Sequence, residues 1–184
     1  MNAAAPWSRR STVLGARRTS SNWTWSNQDH WDAAVAQIKE QSGALHVLLN
    51  IVGSNTLVRF PDMEQWNKIF EINVTAAARG IQTCAPLIRG SGGGSIVNIG
   101  SVAGITGNFG TAYSASKWAL EGLSRSAAYI YADWGIRSNI IQPGWIKTDM
   151  TASMQSNPIV KKMQSSDMKN TVRLRRSGKA EEIA

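Results

Sequence analysis

The stretch SIVNIGSVAGITGNFGTAYSASKWALEGL, residues 95–123, decides the architecture. SIVNIG is a short, nearly continuous apolar run of the kind that forms a strand buried on both faces. A loop spotted with glycines follows from 100 to 110, and a helical pattern then runs from 112 to 134, where Gly135 stops it. Upstream, Gly92-Gly93-Gly94 turns the chain into the strand. Downstream, a further apolar run at 136–142 leads into Pro143-Gly144. The segment is therefore one strand–loop–helix–strand repeat of a parallel sheet.

The same grammar extends toward the N-terminus. Asp62 is placed to cap a long helix over 62–88, with Gln65 three residues on in the capping-box position. Its apolar stripe runs Trp66, Phe70, Ala77, Ile81, Cys84 and Ile88, and Asn73 falls on that stripe, where a buried amide must find partners. LHVLLNIV at 45–52 reads as a second strand buried on both faces. WDAAVAQIKEQS at 31–42 spaces Ala34, Val35, Ile38 and Gln41 as a helix that Gly43 ends. Helix and strand alternate three times, which is the order of a parallel α/β sheet. Beyond Trp145 the chain is polar and basic, with a short helix expected near 159–165. No internal repeat is present.

The net charge of +8 suggests nucleic acid until it is mapped. Residues 1–28 hold four Arg and no acid, 29–144 hold eight basic and eight acidic groups, and 145–184 hold eight basic and four acidic. The excess sits at the ends, so no basic face is expected on the folded part and no nucleic-acid partner. No apolar run is long enough to span a bilayer, and no membrane association is expected. A single cysteine, Cys84, excludes an internal disulfide and fits a reducing, cytoplasmic setting. Residues 1–28 have the Arg- and Ser-rich, acid-free composition of a transit peptide, yet their Arg residues come in adjacent pairs that leave no amphipathic face. Residues 1–30 are expected to be irregular or disordered, and 31–184 to form the domain.

Tyr113 and Lys117 lie four apart at the start of a helix, so both side chains project from one face. A phenol with a pKa near ~10 is a poor proton-transfer group at neutral pH, and a neighbouring cation together with the helix N-terminus favours the phenolate. Ser101 closes a buried strand at the carboxyl edge, where ligands bind in open parallel sheets. Asn73 lies on an inward face one element earlier. Pro143-Gly144, with Thr148 following, ends the next strand at the same edge. Serine, tyrosine, lysine and a backbone-rich turn are thus delivered to one rim.

This ordered set, SIVNIGSVAG, then YSASKWALEGL, then GIRSNIIQPGWIKTDM, resembles the short-chain dehydrogenase/reductase family from about Trp31 to Ala184, where VRLRRSGKAEEIA is similar to the stretch before the family's last helix. The resemblance implies an α/β fold, a partial Rossmann-type parallel sheet with flanking helices. It implies hydride transfer between NAD or NADP and a small-molecule alcohol or ketone. Tyr113 would be the general acid–base, Lys117 would lower its pKa and hold the nicotinamide ribose, and Ser101 would bind the substrate oxygen. Asn73 would hold a water in a proton relay. Cofactor contacts are implied for Asn50, Gly53, Tyr113, Lys117, Pro143, Gly144, Ile146 and Thr148, the last two toward the nicotinamide carboxamide. No metal is implied. Helices 62–88 and 112–134 would form a homo-oligomer interface.

The departures carry expectations of their own. Asn50-Ile51-Val52-Gly53 stands where the family reads Asn-Asn-Ala-Gly, and the bulk of Val52 crowds the adenosine side. His46 replaces a common Asp, and the Ser101–Tyr113 interval is one residue shorter than usual. TVLGARRTS at 12–20 resembles the family's second strand and its phosphate-gripping Arg pair, but too few residues follow it for the elements that should intervene. No G-x-x-x-G-x-G turn is present, so weak cofactor binding is expected, with a non-catalytic interaction module as the rival reading. The codons of Asn22-Trp23-Thr24-Trp25, shifted by two bases, would read Leu-Asp and then Val, Leu or Met, which suggests an altered reading frame. The strand at 45–52 is expected to present an open sheet edge.

Overall fold

The structure is a computed structural model that describes residues 24–56, 58–107, 109–154 and 157–183. The expectations for 1–23, including the segment at 12–20 and the Arg pairs, lie outside the described residues. In chain order the elements are α1 (Gln28–Ser42), β1 (Val47–Asn50), α2 (Met63–Phe70), a π-helical turn (Glu71–Thr75), α3 (Ala76–Gly90), β2 (Gly94–Ile99), α4 (Ala103–Thr106), α5 (Thr111–Ile130), β3 (Ile136–Ile141), β4 (Ile146–Lys147), α6 (Asp149–Met154), α7 (Pro158–Asn170) and β5 (Gly178–Lys179).

β1, β2 and β3 form a parallel sheet in that order, with Val47 opposite Ser95 and Ser95 opposite Arg137. The expected strands at 45–52, 95–100 and 136–142 are therefore present; β1 and β3 are shorter than their apolar runs, and β2 is shifted one residue toward the N-terminus. The helix expected at 159–165 extends over the whole of α7, and the β4–β5 pairing of Ile146 with Gly178 was not legible in the sequence.

The long helix begins as expected, with the Asp62 carboxylate accepting from the Gln65 amide at 2.8 Å. Its register then slips. The π turn, in which the Ala76 amide bonds to the Glu71 carbonyl, inserts one residue and rotates the face. Before the turn Ile69 is the buried residue, while Trp66 and Phe70 stack on each other half-buried; after it Ala77, Ile81, Cys84 and Ile88 go inward. The turn leaves Asn73 buried at 1% exposure.

One face of the sheet carries the core. Ile88 of α3, Ile96 of β2, Ala127 of α5 and Ile136 of β3 pack together with Trp31 of α1. Gly80 makes room for α1: a Cβ there would lie 2.7 Å from the Trp31 ring and 3.2 Å from Asn50 Oδ1. Trp31 also donates its indole N–H to the Trp25 carbonyl at 3.0 Å. Burial within this core pushes the Cys84 thiol up to about 12 and leaves it inert.

The expectation that β1 is buried on both faces is corrected. Val47 and Leu49 are half exposed, at 48% and 50%, and Ile51 reaches 63%. α1, α3 and α5 all lie on the opposite side, and among the described residues no element covers this one. β1 is also an outer strand of the sheet, so the open edge is present among the described residues.

Candidate active site

The carboxyl ends of β2 and β3 and the first turns of α5 build one rim. Ser101 follows β2 directly and is nearly buried. Its hydroxyl accepts from the Ala103 amide at 3.1 Å, which opens α4. The Val102 amide donates to the Pro143 carbonyl at 3.0 Å, so the loop after β2 is tied to the Pro143-Gly144 turn after β3. α5 starts against a separate loop: Thr111 sends both its amide (3.1 Å) and its hydroxyl (2.5 Å) to the Arg59 carbonyl.

Tyr113, on the first turn of α5, faces the Ser101 side chain. Burial pushes its hydroxyl above the ordinary phenol range, and the Ser101 side chain pulls it back in part. Lys117, one turn on, is 4% exposed, and burial lowers its ammonium to about 8. It donates to the Ile99 carbonyl at 2.9 Å and lies 5.8 Å from the Tyr113 ring centre. The expected lysine-lowered phenol is therefore not the arrangement found. Burial dominates the tyrosine, and the ammonium is engaged with the end of β2.

Asn73 faces the same place from the π turn. Its Oδ1 accepts from the Ser54 amide at 2.7 Å, and its Nδ2 donates to the Ser54 carbonyl and to Ser116 Oγ, both at 2.9 Å. Ser116 in turn donates to the Tyr113 carbonyl at 2.8 Å. Gly53 sits between these groups: a Cβ there would lie 3.4 Å from Lys117 Nζ and 3.5 Å from Asn73 Oδ1, so glycine leaves the ammonium open on that side. Asn73, Ser101, Tyr113, Lys117 and Gly53 are thus brought together.

Among the described hydrogen bonds, Asn50, Gly144, Ile146 and Thr148 make none to these groups. Asn50 donates to Asn98 Oδ1 at 2.7 Å, and Asn98 donates to Ser124 Oγ at 2.8 Å, a buried amide chain beneath the sheet. Ile146 joins β4. Thr148, exposed, precedes α6 and bonds to Thr151 through its amide at 2.9 Å. Gly144 is exposed and His46 is an exposed residue before β1. Asn98, Ser116 and Ser124 were missed. Their signal was polar residues at inward positions of an otherwise apolar strand and helix.

An aromatic wall completes the rim. Phe109 meets the Tyr113 ring edge-on at 6.1 Å and the Trp145 ring at 5.5 Å. Trp145 packs with Val160, Met150 and Met168, and its indole donates to Asp167 of α7 at 2.9 Å. Among the described residues no group of three or more His, Cys, Asp or Glu side chains is placed to hold a metal, and no helix is long and apolar enough to cross a membrane.

Residues 12–159 match the model of the short chain dehydrogenase family. The chain is 36% identical over 133 residues to a trans-4-hydroxycyclohexanecarboxylate dehydrogenase of Sinomonas cyclohexanicum, covering 71% of this chain and 51% of that one. It is 33% identical over 154 residues to a cyclohexanol dehydrogenase of an Acinetobacter species, covering 81% and 61%. Among solved structures, a short-chain type dehydrogenase/reductase from Mycobacterium ulcerans superposes with a TM-score of 0.78 at 27% identity, over 87% of this chain and 58% of that one. The aldohexose dehydrogenase of Thermoplasma acidophilum gives 0.75 at 27%, over 87% and 66%. The chain thus spans about half to three-fifths of the length of these two curated relatives. The matched stretch contains the sheet, Ser101, Tyr113 and Lys117, and this chain belongs to the short-chain dehydrogenase family.

Proposed function

We propose that the protein transfers hydride between NAD or NADP and an apolar secondary alcohol or ketone, with a ring-bearing substrate held against Phe109 and Trp145. The observation that carries this reading is the grouping of buried Ser101 and Lys117 with Tyr113, whose ring lies 5.8 Å from the Lys117 ammonium and edge-on to Phe109 of that aromatic wall. The dehydrogenases of cyclic alcohols among the relatives support the substrate class and disfavour a purely structural role.

The nicotinamide, when bound, supplies the hydride acceptor or donor. The chain's residues fit it: Lys117 spends one bond on Ile99, Gly53 leaves its ammonium open, and the Pro143-Gly144 turn lies on the same rim. Lys117 is the residue to hold the ribose. In the oxidising direction Tyr113 Oη would take the alcohol proton in its phenolate form, and Ser101 Oγ would donate to the substrate oxygen. In the reducing direction Tyr113 returns its proton to the carbonyl oxygen. Asn73 serves by holding the backbone at Ser54 against Ser116 rather than by a relay through its amide, since both its N–H groups are engaged. Exposed Trp118, Tyr129 and Ile130 on α5 and Met63 on α2 are the surface for self-association.

The test is titration with NADH and NADPH followed by turnover of cyclohexanol and cyclohexanone. Binding with turnover that Tyr113→Phe removes is the expected result. A folded protein that binds neither nucleotide at millimolar concentration would overturn it.

A further inference from the structure

α5 carries a third side chain on the face that presents Tyr113 and Lys117. Glu121 follows Lys117 by one turn and is mostly buried, with 14% of its side chain exposed. Both its oxygens are engaged: Oε1 accepts from Nε (3.0 Å) and Nη2 (2.6 Å) of Arg125, and Oε2 accepts from Gln142 Nε2 at 2.7 Å. These bonds hold its carboxyl below the usual range, with Arg125 the larger cause, so it stays ionised at neutral pH.

Gln142 immediately precedes Pro143-Gly144. A proline has no N–H, so Pro143 cannot tie the turn through its own amide. Gln142 Oε1 is buried and has no hydrogen-bond partner among the described residues, which leaves Glu121 as the polar anchor of this side chain. Beyond it, the Pro143 carbonyl accepts from the Val102 amide, next to Ser101. One chain of contacts therefore runs from α5 through Glu121 and Gln142 to the turn, and from the turn to the serine loop. The three elements that carry the reacting groups are joined at the rim by side-chain and backbone hydrogen bonds.

We propose that Glu121 and Gln142 are positioning residues: their hydrogen bond sets the Pro143-Gly144 turn, and with it the Ser101 loop, at a fixed height above Lys117. The pair touches neither substrate nor cofactor. Its effect on catalysis rests on the function proposed above; its effect on the turn does not.

Hydrogen exchange at the Val102 amide, with NADH titration and steady-state kinetics on the same samples, tests the proposal. In Gln142→Met, Val102 is expected to exchange about tenfold faster, as for loss of one charge-assisted hydrogen bond. Amides at Ile96 and Asn98, in the middle of β2, stay unchanged. The KM for cofactor rises by a similar factor, and kcat falls with it because the Ser101 loop moves with the turn. The exchanged pair Glu121→Gln with Gln142→Glu restores the bond with donor and acceptor reversed, and returns both readouts toward those of the original chain. Unchanged Val102 exchange in a folded Gln142→Met protein overturns the proposal. So does a reversed pair that behaves like the single variant. A parent chain that binds no nucleotide would sink the functional reading alone, because the exchange experiment still decides whether the pair sets the turn.

Discussion

The two faces of the three-stranded sheet are made from the same strands and have opposite fates. Toward α3 and α5, Ile96 and Asn98 are 0% exposed and Ile136 is 3% exposed. On the other side Val47, Leu49 and Ile141 are 48%, 50% and 38% exposed. Neighbouring residues of one strand point to opposite faces, so a run such as VLLN contributes half its side chains to each. The packed face also supports the proposed reacting groups: Lys117 lies on the helix that covers it, and Asn98 and Ser124 are bonded within it. Stability and the proposed chemistry share one side of the sheet. Helix burial there determines both the low pKa of Lys117 and the raised one of Tyr113.

The largest effect expected from breaking this contrast is chemical. Tyr113→Phe should lower turnover by at least about a hundredfold, the usual range for a general acid–base, with the melting temperature unchanged. Initial rates and a thermal melt on one preparation check both halves.

Next comes packing. Ile96→Ala, on the buried face, should cost about 2–5 kcal/mol in urea unfolding, from lost burial and the cavity left behind. Leu49→Ala, one register position beyond in the neighbouring strand but facing away, should cost under about 1 kcal/mol. Equal costs would mean that the open face is covered in solution.

The pH dependence of stability sharpens the same point. Lys117 titrates near 8 when folded against 10.5 for the free side chain, so between those values the unfolded chain holds the extra proton. Stability therefore rises with pH through this window, by at most about 1.4 kcal/mol per unit. Cys84 opposes it from pH 9 upward, because the folded thiol keeps its proton to about 12. The rise is clean between pH 8 and 9 and should vanish in Lys117→Met. The rates carry the matching signature. Carbonyl reduction, which needs protonated Tyr113 and charged Lys117, should hold level below pH 8 and fall above it.

The smallest effect is colloidal. Leu49→Lys places a charge on the outer strand and should leave unfolding energetics within about 0.5 kcal/mol while reducing association, read by light scattering.

The local elements and the grouping of Ser101, Tyr113 and Lys117 were legible in the sequence, because each follows from spacing along the chain. Gly43 ends a helix, Asp62 caps one, and Tyr113 and Lys117 share a face by helical geometry alone, whereas α5 stops at Ile130 and Gly135 ends the separate 3-10 turn Ala132–Trp134. The ordered motifs around Ser101, Tyr113 and Pro143 led to the family for the same reason. What the tertiary structure decided is which face each strand buries and what each polar group bonds to. An apolar run in a strand does not say whether one side or both will be covered, and β1 is covered on one. A tyrosine next to a lysine does not say whether charge or desolvation sets its pKa; the depth of α5 against the sheet does. The π turn at 71–75, the Asn50–Asn98–Ser124 chain and the Glu121–Gln142 bond join residues up to 48 positions apart, or shift a helix by one residue. Such bonds depend on the packing of whole elements, which no local pattern of residues encodes.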